Sequence, residues 1–489
     1  MKFGDYPKAG SLDGVSGFKK YIESLGLDMP CDDIVASGPQ SPLGTPLEFE
    51  GLTIGHRLAI HPMEGWDCER DGRPSENTKR RWRRFGLSGA KLIWGGEACA
   101  VRPDGRANPK QLVMTEQSQG DIAAMRESLV EAHKEATGGE TNVIIGLQLT
   151  HSGRFCKPND NTKFESIIAY NHPLLDRKFG YPADRPVMTD DEIRRLIDAY
   201  IVAAKRAEAC GFDFVDIKHC HGYLGHEFLS AVDRAGPYGG SFENRTRFMR
   251  EIIQGIRAEV PRMRIGVRLS AIDSVPFKPD PAQSLPGALG PGVPDDYTLP
   301  YRYGFGANPD NPLEYDLTET KALFEMMGTL GVRLVNVTAG SPYYNPHIIR
   351  PALYPPSDGY YPPEDPFVGV MRQLAVVRDL KKAFPDFCIL GSGYTYLQEF
   401  FPNVAQAVVR NGWVDLVGLG RMVLAYPELP LDILSGRGVQ KKRLCRTFSD
   451  CTTAPRNGIV SGCYPLDAFY KKSPEFKQLA AVKKPAQTA

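Results

Sequence analysis

The chain has 489 residues, of which 42% are hydrophobic and 24% charged, so it can bury the core of a large globular protein. Its 59 basic and 58 acidic residues leave a formal net charge of +1, which gives no charge excess for binding a nucleic-acid backbone or an anionic membrane surface. The composition therefore favours a small-molecule substrate over nucleic acid or membrane.

The N-terminus and the cysteines indicate where the protein resides. The first residues, MKFGDYPKAGSLDG, have no apolar run behind the first lysine, and no stretch of about 18 apolar residues occurs that could span a bilayer. Ten cysteines, most of them single within apolar segments, do not form the dense disulfide framework of a small secreted protein. We expect a cytoplasmic protein with reduced thiols.

Eight short apolar runs, each followed by a helix-like stretch, alternate along the chain. Parallel strands covered by helices read as such near-continuous runs, and segment 190–209 has apolar residues at the spacings of three and four that mark a helix packed on a sheet. The pattern predicts an α/β fold, a closed (β/α)8 TIM barrel with catalytic groups at the C-terminal ends of its strands. The predicted strands are 58–63, 91–98, 142–151, 212–221, 264–271, 334–340, 388–394 and 416–421.

The barrel is predicted to span residues 48–435, between an N-terminal extension at 1–47 and a C-terminal arm at 436–489. Two connections, 272–315 and 341–366, are unusually long and rich in Pro, Gly and Tyr. Loops of this kind after barrel strands commonly act as lids or pocket walls, and a disordered insertion is the alternative.

Glycines at the ends of the seventh and eighth strands predict a phosphate site. Gly391, Ser392 and Gly393 end the seventh run, and Gly420 and Arg421 end the eighth. Glycines let backbone N–H groups approach an anion closely, and this is the usual phosphate position in such barrels. Paired glycines also make simple tight turns, but the adjacent arginine favours phosphate.

The fourth strand and helix unit carries the most specific motif. Residues 207–248 read AEACGFDFVDIKHCHGYLGHEFLSAVDRAGPYGGSFENRTRF, which resembles the signature of the old yellow enzyme / NADH:flavin oxidoreductase family. The pieces HRLAIHPM, GGEACAV, LQLTHSGR and VRLS follow the family order at strands one, two, three and five. The resemblance extends from about residue 43 to about residue 435, and it identifies the chain as a divergent member.

The resemblance implies FMN as cofactor, NADH or NADPH as electron donor, and reduction of an activated C=C bond in a small organic substrate. A dehydrogenase or a redox-neutral double-bond isomerase on the same barrel is one alternative. A flavin-binding protein without turnover is another. The sequence names neither the substrate nor the preferred nicotinamide, and it leaves open whether the protein forms a homo-oligomer.

The resemblance also implies a set of residues around the flavin. Pro62, Met63 and Ala98 would line the ring, Gln148 would bond its pyrimidine edge, and Arg268 would lie near N1 and O2. A fixed guanidinium there stabilises the negative charge of the reduced ring. The alternatives are that Gln148 caps a strand end and that Arg268 pairs with a core carboxylate, and without the resemblance these are favoured.

In this family two side chains on strand four hold an oxygen of the substrate, and a tyrosine two residues later protonates the carbon. Those positions here are Lys218, His221 and Tyr223. A neutral tyrosine can serve as such a general acid, and the other two are donors suited to an oxyanion. His221 also reads as an ordinary buried histidine, and neighbouring His219 more so, because strand alternation turns it to a different side.

Two charged residues depart from the family pattern. Lys218 stands where a histidine is usual, and Glu64 follows Pro62 and Met63 where a threonine or cysteine is usual. One hypothesis is that Lys218 and His221 together bind an anionic carboxylate, phenolate or enolate, with Glu64 across the ring. The alternative is that Glu64 and Lys218 pair and neutralise each other, or turn away from the ring.

Three cysteines follow the barrel, and the sequence predicts no metal for them. Larger members of the family carry an iron–sulfur motif with the spacing C-x2-C-x3-C-x11-C. Cys451 and Cys463 keep the last spacing, but Cys445 is one position off and no cysteine lies between it and Cys451. Two correctly spaced thiolates do not complete a four-ligand cluster. The C-terminal arm also contains no GxGxxG after a strand, so no added dinucleotide domain is predicted.

Overall fold

Thirteen strands occur in the computed structural model, which describes residues 5–284 and 289–483. Part of the predicted insertion 272–315 therefore lies outside the described residues. The strands are Leu47–Phe49 (β1), Leu52–Ile54 (β2), Leu58–Ile60 (β3), Leu92–Ile93 (β4), Ala98–Ala100 (β5), Ile144–Thr150 (β6), Phe214–Ile217 (β7), Arg264–Ile272 (β8), Phe277–Pro279 (β9), Gly292–Pro294 (β10), Leu334–Ala339 (β11), Cys388–Gly391 (β12) and Leu416–Leu419 (β13).

Eight parallel strands close into a barrel, which confirms the predicted (β/α)8 fold. Pairing runs in the order β4, β3, β13, β12, β11, β8, β7 and β6, and β4 also pairs with β6, so the ring has no open edge. Each apolar run of the sequence overlaps one of these strands. The second run also includes the first residue of β5, which continues alongside β6 after an interruption, with Ala98 opposite Gln148.

Two glycines cause the interruption of the second run. Gly95 and Gly96 have φ values of +138° and +48°, in the region that side chains disfavour. A Cβ on Gly95 would lie 2.8 Å from the backbone nitrogen of Gln148, and one on Gly96 would lie 2.7 Å from the ring of Trp82. The chain therefore bends here where only glycine fits, and it then resumes its pairing.

Helices cover the outside of the barrel. Helix 190–209 was expected from its apolar stripe, and its first turn is closed by a reciprocal pair of hydrogen bonds between Thr189 and Glu192. The helices are Gly14–Ser24 (α1), Glu76–Gly86 (α2), Glu116–Thr137 (α3), Pro173–Phe179 (α4), Asp190–Ala209 (α5), Leu224–Leu229 (α6), Phe242–Arg245 (α7), Arg247–Glu259 (α8), Thr318–Thr329 (α9), Pro346–Ile349 (α10), Pro366–Ala383 (α11), Phe401–Arg410 (α12), Met422–Ala425 (α13), Leu429–Leu434 (α14), Asp450–Arg456 (α15), Ala468–Lys471 (α16) and Glu475–Lys483 (α17).

The N-terminal end of the barrel is closed. Trp94 and Phe214 fill its interior with ring centroids 5.2 Å apart, and the β1–β2 hairpin packs Leu47, Phe49 and Leu52 beneath them. Side chains thus occupy the lower half of the barrel, as is usual for this fold. Only the C-terminal end remains for a binding site.

The segments outside the strand and helix units attach at different places. In the N-terminal extension, Phe18 of α1 stacks on Phe400 at 4.4 Å, and Tyr21 donates a hydrogen bond to Asp365 at 2.6 Å. The loop at 341–366 lies over the barrel mouth. The described part of 272–315 supports that loop from the side, since the backbone N–H of Phe277 donates to the carbonyl of Tyr344 at 2.7 Å. No helix among the described residues is long and apolar enough to cross a bilayer.

Candidate active site

A cavity of about 250 Å³ opens at the C-terminal ends of the barrel strands. Twelve of the fourteen residues that the sequence analysis singled out line this cavity. The other two, Ala98 and Gly391, lie in strands β5 and β12 and are fully buried beneath it. The barrel therefore brings together the strand ends that sequence reasoning selected.

At one end of the cavity, Glu64 is the hydrogen-bond acceptor for several neighbouring side chains. Its Oε1 accepts from the ammonium of Lys218 at 2.5 Å, and its Oε2 accepts from the hydroxyl of Tyr223 at 2.7 Å and the indole N–H of Trp66 at 3.0 Å. The hydroxyl of Tyr343 lies 2.9 Å from that of Tyr223. Because the single hydrogen of Tyr223 points to Glu64, Tyr343 is the donor in this last bond.

Glu64 and Lys218 form an ion pair, which is the second of the two arrangements considered from the sequence. The side chain of Lys218 is only 2% exposed and that of Glu64 is 14% exposed. The ammonium also lies 3.8 Å from the ring centroid of Tyr223, in a cation–π contact. The pair places no net charge at the pocket wall, and it positions Tyr223 from two sides.

Tyr223 is held in its protonated form. Burial, followed by the negative charge of Glu64 and the neighbouring Tyr343, raises the pKa of Tyr223 well above its usual value. Tyr343 stacks on Phe155 with centroids 3.9 Å apart and planes 6° apart, so the second hydroxyl is also fixed. Two phenol groups therefore line the cavity. Tyr343 donates to Tyr223, and Tyr223 donates to Glu64.

His221 presents a free ring nitrogen, whereas His219 does not face the cavity. The backbone of His221 has a φ of +68° and is held by hydrogen bonds with Ser270 at 3.1 Å and Ser341 at 2.7 Å. Its Nε2 is buried and has no partner among the described residues. Burial, aided by the charges of Arg268 and Lys218, lowers its pKa well below the usual value, so the ring is neutral. His219 instead packs its ring against Phe248, with centroids 6.1 Å apart.

A buried carboxyl group organises the opposite wall. Asp216 accepts a hydrogen bond from the side-chain amide of Gln148 at 2.6 Å and another from the backbone N–H of Arg268 at 2.6 Å. Burial raises the pKa of Asp216 to about 6. The guanidinium of Arg268 donates to the carbonyl of Pro62 at 3.3 Å, and its Nε has no partner among the described residues. Donor groups thus remain available on this wall.

The loop that carries Glu64 rests on a buried arginine. Arg81 of α2 donates to Asp67 at 2.5 Å and to Glu97 at 2.5 Å, and Glu97 in turn accepts from the backbone N–H of Gly65 at 2.9 Å. A Cβ on Gly65 would lie 2.2 Å from the guanidinium of Arg81. The absence of a side chain at position 65 therefore lets the loop lie directly on this charged group.

The glycines at the other end of the cavity leave space for an anion. Gly393 has a φ of +93°, and a Cβ on Gly420 would meet no atom within 4 Å. Ser392 lies 3.2 Å from Nε2 of His61, whose Nδ1 lies 3.1 Å from the amide nitrogen of Asn336. Since the amide nitrogen is a donor, Nδ1 of His61 accepts and its Nε2 carries the hydrogen.

Two arginines lie at this same end. Arg421 donates to the hydroxyl of Thr452 at 2.6 Å, and Arg350 donates to that of Ser449 at 2.9 Å. Within residues 5–284 and 289–483, no carboxylate lies within 4.0 Å of either guanidinium. Burial, together with the positive charge of Arg350, lowers the pKa of Arg421 to about 10. Two positive charges thus lie close together at this end of the cavity.

Sequence reasoning missed several residues of the site, among them Trp66, Asp216, Tyr343 and Arg350. No feature of the sequence marked these four as site residues, although Asp216 lies within the motif at 207–248. Tyr343 and Arg350 do lie in the 341–366 loop that was expected to form a pocket wall. Trp66 follows Glu64 by two positions, and Asp216 precedes Lys218 by two. This closeness in sequence is the one signal that could have found them.

The C-terminal arm supplies the remaining wall. Cys451, Thr452, Arg456 and Cys463 line the cavity from α15 and the segment after it, while Cys445 is buried nearby. Among the described residues, no group of three or more His, Cys, Asp or Glu side chains is arranged to hold a metal ion. The absence of an iron–sulfur cluster remains a prediction.

A closed eight-stranded parallel barrel, with a cavity at the C-terminal ends of its strands, defines the chain as a (β/α)8 protein. The sequence profile of the NADH:flavin oxidoreductase / NADH oxidase family matches residues 42–283. An NADPH dehydrogenase of Geobacillus sp. (strain WCH70) is 30% identical over 393 residues, which are 79% of this chain and 92% of that protein.

Solved structures show the same fold. An old yellow enzyme homologue of Zymomonas mobilis superposes with a TM-score of 0.54 at 20% identity, covering 82% of this chain and 94% of that one. A 2-naphthoyl-CoA reductase in complex with 2-naphthoyl-CoA superposes with a TM-score of 0.61 at 19% identity, over 90% of this chain. The chain spans 58% of the length of that larger reductase.

The chain belongs to the NADH:flavin oxidoreductase / NADH oxidase family, the family of the old yellow enzymes. It is an FMN-dependent oxidoreductase that uses NADH or NADPH. The side chains of the cavity are compatible with this cofactor, because buried donor atoms of Arg268 and Arg350 have no partner in the described part of the chain. These atoms lie at the wall near Gln148 and at the glycine end respectively.

Proposed function

We propose that the protein reduces an activated C=C bond of a small organic substrate, with Tyr223 as the proton donor. FMN, reduced by NADH or NADPH, supplies the hydride when it is bound. Pro62, Met63 and Ala98 are proposed to border its ring. The remaining cofactor residues would contact its polar groups: Gln148 and Arg268 at the pyrimidine edge, and Gly391, Ser392, Gly393, Gly420 and Arg421 at the phosphate.

The arrangement around Tyr223 is the observation that carries this proposal. A raised pKa keeps the phenol protonated at neutral pH, so a proton is available for a carbon that becomes negatively charged. Once Tyr223 has given it up, its oxygen still accepts from Tyr343, and the ammonium of Lys218 lies 3.8 Å from its ring. Both contacts favour the resulting phenolate and offset its repulsion from Glu64, and Tyr343 offers a route for its reprotonation.

The charge at the pocket wall supports a neutral substrate. Glu64 balances the charge of Lys218, so the pair gives no advantage to an anionic carboxylate or phenolate. The Nε2 of His221 has no partner among the described residues, and in the tautomer with its hydrogen there it would donate to a carbonyl oxygen that activates the double bond. We therefore infer an unsaturated ketone, aldehyde or ester rather than the anionic substrate considered from the sequence.

The same pair disfavours oxidation of an amine. An organic cation binds where aromatic rings and a carboxylate meet, and here the ammonium of Lys218 already occupies that position between Glu64 and Tyr223. Anaerobic addition of NADPH or NADH provides a direct discrimination. Rapid bleaching of the flavin, followed by reoxidation with an enone, supports the reductase.

Replacement of Tyr223 by Phe tests the proton donor. Reoxidation of the reduced enzyme by an enone should slow by about 100-fold to 10,000-fold, the usual contribution of a general acid. Reduction of the flavin by NADPH needs no proton from this group and should stay nearly unchanged. Stopped-flow absorbance separates the two half-reactions, and reoxidation at the wild-type rate would remove Tyr223 from the mechanism.

A further inference from the structure

Arg350 lies beside the strand-seven glycines although it belongs to the loop after β11. It directly follows α10, and the side-chain amide of Gln373 donates to the carbonyls of Ile348 and Ile349 at 3.0 and 3.1 Å. A Cβ on Gly393 would lie 2.9 Å from that same amide group. Gln373 therefore bridges the turn that carries Arg350 and the glycine that ends the seventh strand.

The charge of Arg350 is unbalanced at this position. Its Nη1 donates only to the hydroxyl of Ser449 at 2.9 Å, and its buried Nη2 has no partner among residues 5–284 and 289–483. Arg421 is close enough for the two positive charges to repel each other. A pair of like charges without a carboxylate nearby is costly unless an anion lies between them.

We propose that Arg350 is a second ligand of the terminal phosphate of FMN, opposite Arg421, and that it links phosphate binding to the docking of the C-terminal arm. The guanidinium has planar donor geometry that suits a phosphate oxygen. This ligand comes from the loop that also carries Tyr343. The proposed phosphate ligand Arg350 and the cavity-lining Tyr343 thus belong to the same loop.

Ser449 makes the link to the arm. Its hydroxyl accepts from Arg350 and donates to the carbonyl of Tyr354 at 2.6 Å, so it joins two points of the loop at 341–366. Two residues nearby continue the contact, since Thr453 accepts from the backbone N–H of Ser357 at 3.2 Å. A phosphate that fixes Arg350 therefore also fixes the first turn of α15, which precedes the cavity-lining part of the arm.

Comparing FMN with riboflavin, which lacks the phosphate, isolates the proposed contact. In Arg350→Gln, the affinity of apoprotein for FMN should fall by about 10-fold to 100-fold, as for loss of a hydrogen bond to a charged group. The affinity for riboflavin should stay unchanged. Arg372→Gln is the matched control, since Arg372 pairs with Glu364 at 2.5 Å and should leave both affinities unchanged.

Two results of this comparison would overturn the phosphate contact. One is an FMN affinity in Arg350→Gln equal to that of the wild type. The other is an equal loss of FMN and riboflavin affinity, which would mean that Arg350 supports the ring site or the fold instead. Arg350→Lys, which keeps the charge but loses the planar fork, should give an intermediate affinity for FMN.

Hydrogen exchange of the full-length protein tests the link to the arm. FMN should slow amide exchange in residues 447–457 more than riboflavin does, because only FMN restrains Arg350. Ser449→Gly removes the hydroxyl and tolerates the φ of +63° at that position, and it should abolish this difference. Equal protection of the wild-type arm by the two flavins, or a difference that survives in Ser449→Gly, would overturn the link.

Discussion

Glu64 connects three side chains that would otherwise act separately. Lys218, Tyr223 and Trp66 all donate to its two oxygens. A carboxylate at this position satisfies a buried ammonium and at the same time raises the pKa of the neighbouring phenol. Its effect on the substrate is therefore indirect, because it sets the charge and the proton affinity of the groups around it.

Glu64→Gln should give the pocket a preference for anionic ligands. The amide leaves Lys218 buried and positive without a counter-ion, so phenolate ligands should bind about 10-fold to 100-fold more tightly, as expected for a new charge-assisted contact. Titration of the flavin absorbance with a phenol measures this affinity. The double variant Glu64→Gln, Lys218→Met should lose the gain. Equal phenolate affinities in wild type and Glu64→Gln would contradict the role assigned to the pair.

At the scale of elements, the loop after β11 is held by the loop after β8. Asp273 accepts hydrogen bonds from the hydroxyl of Tyr344 and the amide of Asn345, both at 2.7 Å, and from the backbone N–H of Ser274 at 2.8 Å. Burial raises the pKa of Asp273 to about 6. This carboxyl group fixes the two residues that follow Tyr343, and so it positions the second phenol of the site.

Asp273 should make thermal stability depend on pH. Its pKa in the folded protein is above the ordinary value of 3.8, so the folded state binds the proton more tightly. The stabilisation is complete below about pH 4 and is lost as the pH rises through about 6, for a total of up to about 3 kcal/mol. Asp273→Asn keeps an acceptor for Asn345 and cannot ionise. Its melting temperature relative to wild type should therefore rise between pH 4.5 and 7.5, whereas a constant difference would exclude this role.

The strand ends could be predicted from the sequence, but the contacts between loops could not. Apolar runs ending in polar residues placed Pro62, Gln148 and Arg268 at one end of the barrel, because parallel strands share that end. The pairing of Lys218 with Glu64, 154 positions apart, was one of two arrangements that the sequence left open. The pairing of Arg350 with Ser449, 99 positions apart, was not foreseen. The spacing of apolar residues along the sequence does not predict such contacts, because they depend on how two irregular segments cross.

For the molecule as a whole, the arm forms one wall of the cavity at the barrel mouth. Arg80 on α2 donates to Asp467 at 2.9 Å, and its guanidinium lies 4.2 Å from the ring centroid of Phe469. Arg456 donates to the carbonyl of Pro342 at 2.8 Å. The arm is thereby attached to the first and sixth strand units, and it completes the cavity from outside the barrel.

The purified enzyme should contain flavin but no iron–sulfur cluster. Cys451 and Cys463 lie in the arm with the family spacing, yet the chain lacks the other two correctly spaced thiolates that a four-ligand cluster needs. Iron and acid-labile sulfide should therefore be far below one per chain in protein purified anaerobically. A stoichiometric four-iron cluster would show that ligands other than these cysteines complete the site.

The arginine beneath Gly65 also limits how this sequence can vary. Any side chain at position 65 would displace the guanidinium of Arg81, which would leave Asp67 and Glu97 buried without their counter-charge. As long as Arg81 is present, it therefore requires the two carboxylates and the absence of a side chain at position 65. In saturation mutagenesis of single positions, most substitutions at Gly65, Asp67, Arg81 and Glu97 should therefore reduce the amount of folded protein. A lineage that alters one of them is expected to exchange the whole set, and with it the path of the loop that carries Glu64.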